Sequence, residues 1–128
     1  MITAGIVLDE LGIICKYESK GHAGESRFKT VFNTMCKKNY SHYLSVCGAV
    51  SAAEYQFIYS ISALTDCNPQ VAIKSGHCMI TNFLYSPENT NVLKTLSASF
   101  IIGLESIHRN YAHQFALSVI NHSKPYKK

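Results

Sequence analysis

The clearest pattern in the chain lies between Ser86 and Ser123, where apolar residues recur at Leu93, Leu96, Phe100, Leu104, Ile107, Tyr111 and Phe115. Steps of three and four residues are the period of a helical stripe. Ser86-Pro87-Glu88 marks its start, with Ser as N-cap, Pro at the first helical position and an acid in the first turn. A second apolar set, Ile101, Ile102, Ala112, Ala116, Leu117, Val119 and Ile120, widens the stripe beyond one face. Gly103 and the polar run His108 to Asn110 divide it. The pattern predicts two successive helical segments, or one bent helix, the first mainly core and the second a contact surface.

Upstream, Ala4 to Tyr17 sets two β-branched runs on either side of Asp9-Glu10-Leu11-Gly12, which predicts a β-hairpin with Gly12 closing its turn. The rival is a helix with Gly12 inside it, at a cost of about 1 kcal/mol relative to Ala. Ser26 is a candidate N-cap, and Phe28, Val31, Phe32 and Met35 follow at helical spacing, with Asn39 able to close that helix. Between Ser41 and Leu64 two signals conflict. Tyr55, Phe57, Tyr59, Ile61 and Ala63 alternate as in a strand, whereas Ser51 to Glu54 has the form of a capping box. The reading adopted is two strands joined by a turn at Ser51 to Glu54. Val71 to Tyr85 is apolar, interrupted by Gly76, and its periodicity assigns neither strand nor helix.

These elements predict an α+β domain, a small antiparallel sheet packed against an amphipathic helix and a long, perhaps broken, C-terminal helix. An all-α bundle is the alternative. Residues 1–123 are expected to form one domain, with a basic tail at 124–128.

Charge changes the picture at one place. The net charge is +4, but Lys124, Lys127 and Lys128 supply three of these charges, and the remainder is nearly neutral. A nucleic-acid binder should carry a basic stripe on its folded body, so the balance argues against that class. Only 16% of residues are charged, against about a quarter in ordinary proteins. That shortage suggests that part of the surface meets a partner.

Five scattered cysteines, Cys15, Cys36, Cys47, Cys67 and Cys78, form no CxxC pair, and no run of about 18 residues is mainly apolar. A reduced, cytoplasmic, non-membrane protein is expected. His108 and His113 are five apart, about 140° around a helix, so they share no ligand face, and neither metal nor cofactor is expected. Cys78 beside His77 is the local candidate for a nucleophile and base, but neighbours in a strand point to opposite faces. Cys15, Cys36 and Cys47 fall in apolar patterns and read as small core residues. The loop from Lys20 to Arg27 offers a candidate anion-binding site at Gly21, Gly24, Ser26 and Arg27, although it matches no P-loop or dinucleotide fingerprint.

No catalytic signature emerges. The expected function is a small regulatory or adaptor module acting through protein contacts and pairing with a second copy through Ile101, Ile102, Ala112, Ala116, Val119 and Ile120. The alternative is a small-ligand sensor with a pocket between sheet and helices. An enzyme using scattered His and Cys residues comes third.

Overall fold

The computed structural model describes residues 1–21 and 40–121, with side chains in the second stretch from residue 46 onward. The amino-terminal hairpin forms as expected. Strand β1 (Ile2–Leu8) pairs antiparallel with β2 (Ile14–Lys20), with a register shift between Val7 and Leu8. Asp9 shapes the turn: its Oδ1 accepts from the backbone N–H of Leu11 at 2.8 Å and of Ile13 at 3.0 Å. Gly12 takes the positive φ of 83° that this turn requires.

The expected pair of strands between Ser41 and Leu64 is instead one helix, α1 (Tyr40–Leu64). Val46, Val50, Glu54, Phe57 and Ile61 are its buried residues, at steps of four, four, three and four. An acid inside that stripe concealed the helical period. Tyr55 and Tyr59, which lent the segment its strand-like alternation, stand exposed and stack on each other at 6.2 Å, one turn apart. The predicted turn at Ser51 to Glu54 therefore lies in the helix interior.

The unassigned stretch is a second hairpin, β3 (Gln70–Lys74) and β4 (His77–Thr81), turning at Gly76 with φ of 73°. A short 3-10 turn (Pro87–Asn89) then leads into α2 (Thr90–Asn110), so a helix starts where Ser86-Pro87-Glu88 places it. Ser86 does not cap through its side chain. Its hydroxyl bonds Asp66, which also accepts from the Ser86 N–H at 3.0 Å and from Asn89 Nδ2 at 2.6 Å. These bonds, the Ser86 hydroxyl first, hold the Asp66 carboxyl below its ordinary range.

Helix α2 runs unbroken through Gly103 and ends at Asn110, where the sequence divides. The second helical segment does not form: Phe115–Asn121 is strand β5. Phe115 fits the helical stripe only because it is fully buried from a different element. His108 Nδ1 donates to its carbonyl at 2.7 Å, joining helix end to strand start.

The five strands lie in the order β3-β4-β2-β1-β5, antiparallel except for the parallel pair β1 and β5. This is an α+β architecture and excludes the all-helical alternative. Both helices cover the sheet face that bears Tyr17, whose ring meets Phe100 of α2 edge-on at 5.0 Å, while Phe100 stacks on Phe57 of α1 at 4.4 Å. One buried cluster includes Ile2, Ile6, Tyr17, Ile61, Ile80, Leu104 and Phe115, so the two ends of the described chain share a core. Among the described residues no helix is long and apolar enough to cross a membrane.

Candidate functional site

Where α1 crosses the β2–β4 side of the sheet, a cavity of about 190 Å³ opens between them. Cys47, Ser51 and Glu54 line it from α1, at spacings of four and three that put them on one helix face. Ser19 of β2 and Cys78 of β4, register partners across the ladder, line it from the sheet. A larger hollow of about 380 Å³ lies on the uncovered face, at Thr3, Gly5, Lys16 and Lys20, and holds neither cysteine nor histidine. Chemistry therefore concentrates in the first.

Gly21 forms the rim of this cavity. Its φ is 97°, its N–H donates to the Gly76 carbonyl at 2.8 Å, and a Cβ at this position would collide with the Met1 carbonyl oxygen. Only glycine fits both the conformation and the space. The rim is thereby tied to the start of β1 and to the β3–β4 turn at once.

Glu54 is 7% exposed. Its Oε2 accepts from Tyr17 Oη at 2.5 Å and from Ser19 Oγ at 2.5 Å, which attaches α1 to β2. Burial pushes the Glu54 carboxyl above its ordinary value, and the two hydroxyl donors oppose that shift. The Tyr17 phenol is driven upward by burial and then by the Glu54 charge. The same two causes push the Cys78 thiol up to about 12.

The described cysteines thus differ in environment. Cys78 is buried, and so is Cys67, whose thiol burial also pushes up. Cys15 donates to the Val7 carbonyl at 3.3 Å, and burial raises it too. Cys47 is half-buried and opens on the cavity. It packs beside the core, as expected of a small apolar residue, yet it also presents a thiol to that space. The sequence gave no sign of this until the segment was known to be a helix.

His77 and Cys78 occupy adjacent positions of β4, and the expected opposition of their side chains holds. Cys78 is buried under α1, whereas His77 Nε2 lies 2.8 Å from Glu18 Oε2. Glu18 alternates with Tyr17 and Ser19, which face the helices, so the His77 ring sits on the opposite face of the sheet. Its hydrogen bond, with Lys20 3.6 Å away adding to it, holds the Glu18 carboxyl below its ordinary value.

Of the candidate anion loop, Gly21 borders the cavity, while Gly24, Ser26 and Arg27 lie outside the described residues, as do the expected helix from Ser26 to Asn39 and the tail 124–128. The six candidate contact residues do not share a helix face. Ile101 and Ile102 are on α2, Ala112 is in the turn after it, and Ala116, Val119 and Ile120 are on β5.

Comparison with known proteins bears on this cavity. A family model described as cysteine protease Prp matches residues 1–116. Among solved structures, the fold resembles SMU.848 from Streptococcus mutans, with a TM-score of 0.69 and 19% identity over 94% of this chain and 95% of that one. It also resembles the essential ribosomal processing protease Prp from S. aureus. The form with a covalently linked product peptide gives a TM-score of 0.67 at 20% identity, and the form with a substrate peptide gives 0.69 at 19%. Each covers 93% of this chain and 99% of the other. No curated protein matches the sequence. The family match overturns the expected regulatory or adaptor module and the alternative of a ligand sensor. Composition misled because a sparse surface charge and an apolar C-terminal region say nothing about a single reactive thiol.

Proposed function

The chain belongs to the cysteine protease Prp family, and from that premise we propose that it is a peptidase whose nucleophile is Cys47. The observation that carries this assignment is the position of Cys47: a half-buried thiol lining the cavity between α1 and the sheet. Cys78 shares the cavity but is held in its neutral form, with its pKa pushed up to about 12. A thiol protonated to that degree is a poor nucleophile.

A base must take the proton from Cys47. His77 is turned to the far face of the sheet by Glu18. His22 is the residue that follows the rim glycine Gly21 in the chain, and it is the histidine assigned here as base. Removal of the Cys47 proton by imidazole gives a thiolate that attacks the carbonyl carbon of the scissile peptide bond, forming a carbon–sulfur bond. The imidazolium then protonates the leaving amine as the carbon–nitrogen bond breaks. Water hydrolyses the thioester, releasing the acid product and restoring the thiol.

The S. aureus relative carries the description of a ribosomal processing protease and was solved with peptides. By that likeness the substrate here is a peptide segment of a ribosomal protein, and the site of action is the cytoplasm. Self-association is a separate part of the proposal. Val119 and Ile120 stand 40% and 53% exposed on the edge strand β5, where a second copy would cover them, and light scattering reads the result.

The decisive experiment is cleavage of a peptide library by wild type, Cys47→Ala, Cys36→Ala and His22→Ala. Loss of all cleavage in Cys47→Ala and His22→Ala, with Cys36→Ala active, is expected. Cleavage surviving in Cys47→Ala would overturn the assignment.

A further inference from the structure

Glu54 is a buried carboxyl that the proposed peptide-bond chemistry does not use. Its two short bonds, from Tyr17 and Ser19, both fall on Oε2. Hydroxyl donors at such distances suit an ionised acceptor. Among the described residues Oε1 accepts no hydrogen bond, and no cation reaches the carboxylate: the ion pairs of Lys20 and His77 go to Glu18 on the opposite face. Lys74 lines the same cavity from β3 but is exposed and forms no ion pair with Glu54. Buried charges are ordinarily paired. Here the countercharge is missing and the space for one is open, since Glu54 borders the cavity one helical face along from Cys47.

We propose that Glu54 makes this cavity a subsite for a positively charged side chain, so that the chain cleaves peptides bearing lysine or arginine beside the scissile bond. The assignment rests on Cys47 being the nucleophile of a peptidase. A cation entering the cavity would meet Oε1 with the ammonium or guanidinium group, while its aliphatic stem would lie against Ile2, Val50 and Ile73 in the same wall. Tyr17 and Ser19 hold the carboxylate in place and carry part of its charge, so that it need not reorganise when the ligand arrives. Cys78, kept neutral beside it, adds no second negative charge. The cavity size suits a single side chain better than a folded partner.

Two measurements test the subsite. In the first, a peptide library randomised around the cleavage site is digested by wild type and by Glu54→Gln, a variant of nearly equal shape whose fold is checked by thermal melting and by Glu54→Asp. Enrichment of lysine or arginine at one position is expected for wild type, with at least a tenfold fall in kcat/KM for those peptides, and a smaller change for neutral ones, in Glu54→Gln. In the second, agmatine and its uncharged counterpart 1-pentanol are titrated into intact protein while amide NMR shifts are followed at residues 47, 54 and 78. Shifts with agmatine alone, lost in Glu54→Gln, support the subsite whether or not any peptide is cleaved, so that a failed peptidase assignment leaves its own mark. No basic enrichment, or agmatine shifts unchanged in Glu54→Gln, would overturn it.

Discussion

Tyr17 on β2 and Glu54 on α1 are joined by a 2.5 Å hydrogen bond in which a fully buried phenol donates to a buried carboxylate. This bond and its companion from Ser19 fix where α1 lies across the sheet, and with it the position of Cys47 two turns earlier. Tyr17→Phe keeps the ring contact with Phe100 and removes only the donor. Hydrogen bonds to charged groups contribute about 1.5 to 3 kcal/mol, and urea unfolding should register a loss of that size, accompanied by weaker peptide cleavage.

The carboxyl of Glu54 also makes stability depend on pH in a definite direction. Its value in the folded chain lies above the ordinary 4.5 because burial disfavours the charged form. Below about pH 4 the group is protonated folded or unfolded and contributes no difference. As pH rises towards and through the raised value, the unfolded chain gives up the proton first and folding is penalised. Glu54→Gln carries no such penalty. Unfolding free energies measured from pH 4 to 8 should therefore move in favour of the variant as pH rises; a constant gap would contradict the raised value.

His77 provides a control for the face argument. Its ring is held by Glu18 away from the cavity, so His77→Ala should leave kcat/KM within about twofold and cost no more than the ~0.2 to 1 kcal/mol of an exposed ion pair. A loss of activity like that expected for His22→Ala would place the His77 ring in the cavity after all.

At Gly21 the demand is steric and conformational together. Gly21→Ala introduces a Cβ against the Met1 carbonyl oxygen at a backbone angle that L side chains rarely adopt. A cost of about 1 to 3 kcal/mol is expected from the strain, with cleavage reduced more than the stability loss explains, because the rim itself is displaced. Parallel denaturation and cleavage assays separate the two effects.

The elements legible in the sequence were those whose stabilising contacts are local. Asp9 and Gly12 shape the first turn within a few residues, and Pro87 with Glu88 marks a helix start that needs no distant partner. Helix α1 was misread because its register depends on Glu54 being buried, and Glu54 is buried only because Tyr17 and Ser19, more than thirty residues away, meet it. Strand β5 was misread because Phe115 continues a helical spacing while its real partner, Ile2, lies at the other end of the described chain. The candidate site suffered from both errors. Cys47 resembles any small core residue until α1 is known to pass over the sheet, and Gly21 was singled out for an anion and not for the rim it forms.

The parallel pairing of β1 with β5 bears on how the molecule is assembled in time. Ile2 to Leu8 must wait for Phe115 to Asn121 before one edge of β1 is covered. Contacts between distant segments slow folding, because chain entropy is lost before they repay it. Ile2 belongs both to this late pairing and to the cavity wall. The chain emerging from a ribosome can close its first hairpin early, but it completes the wall beside Cys47 only after the last strand has been made, so any peptidase activity begins after synthesis has passed Asn121.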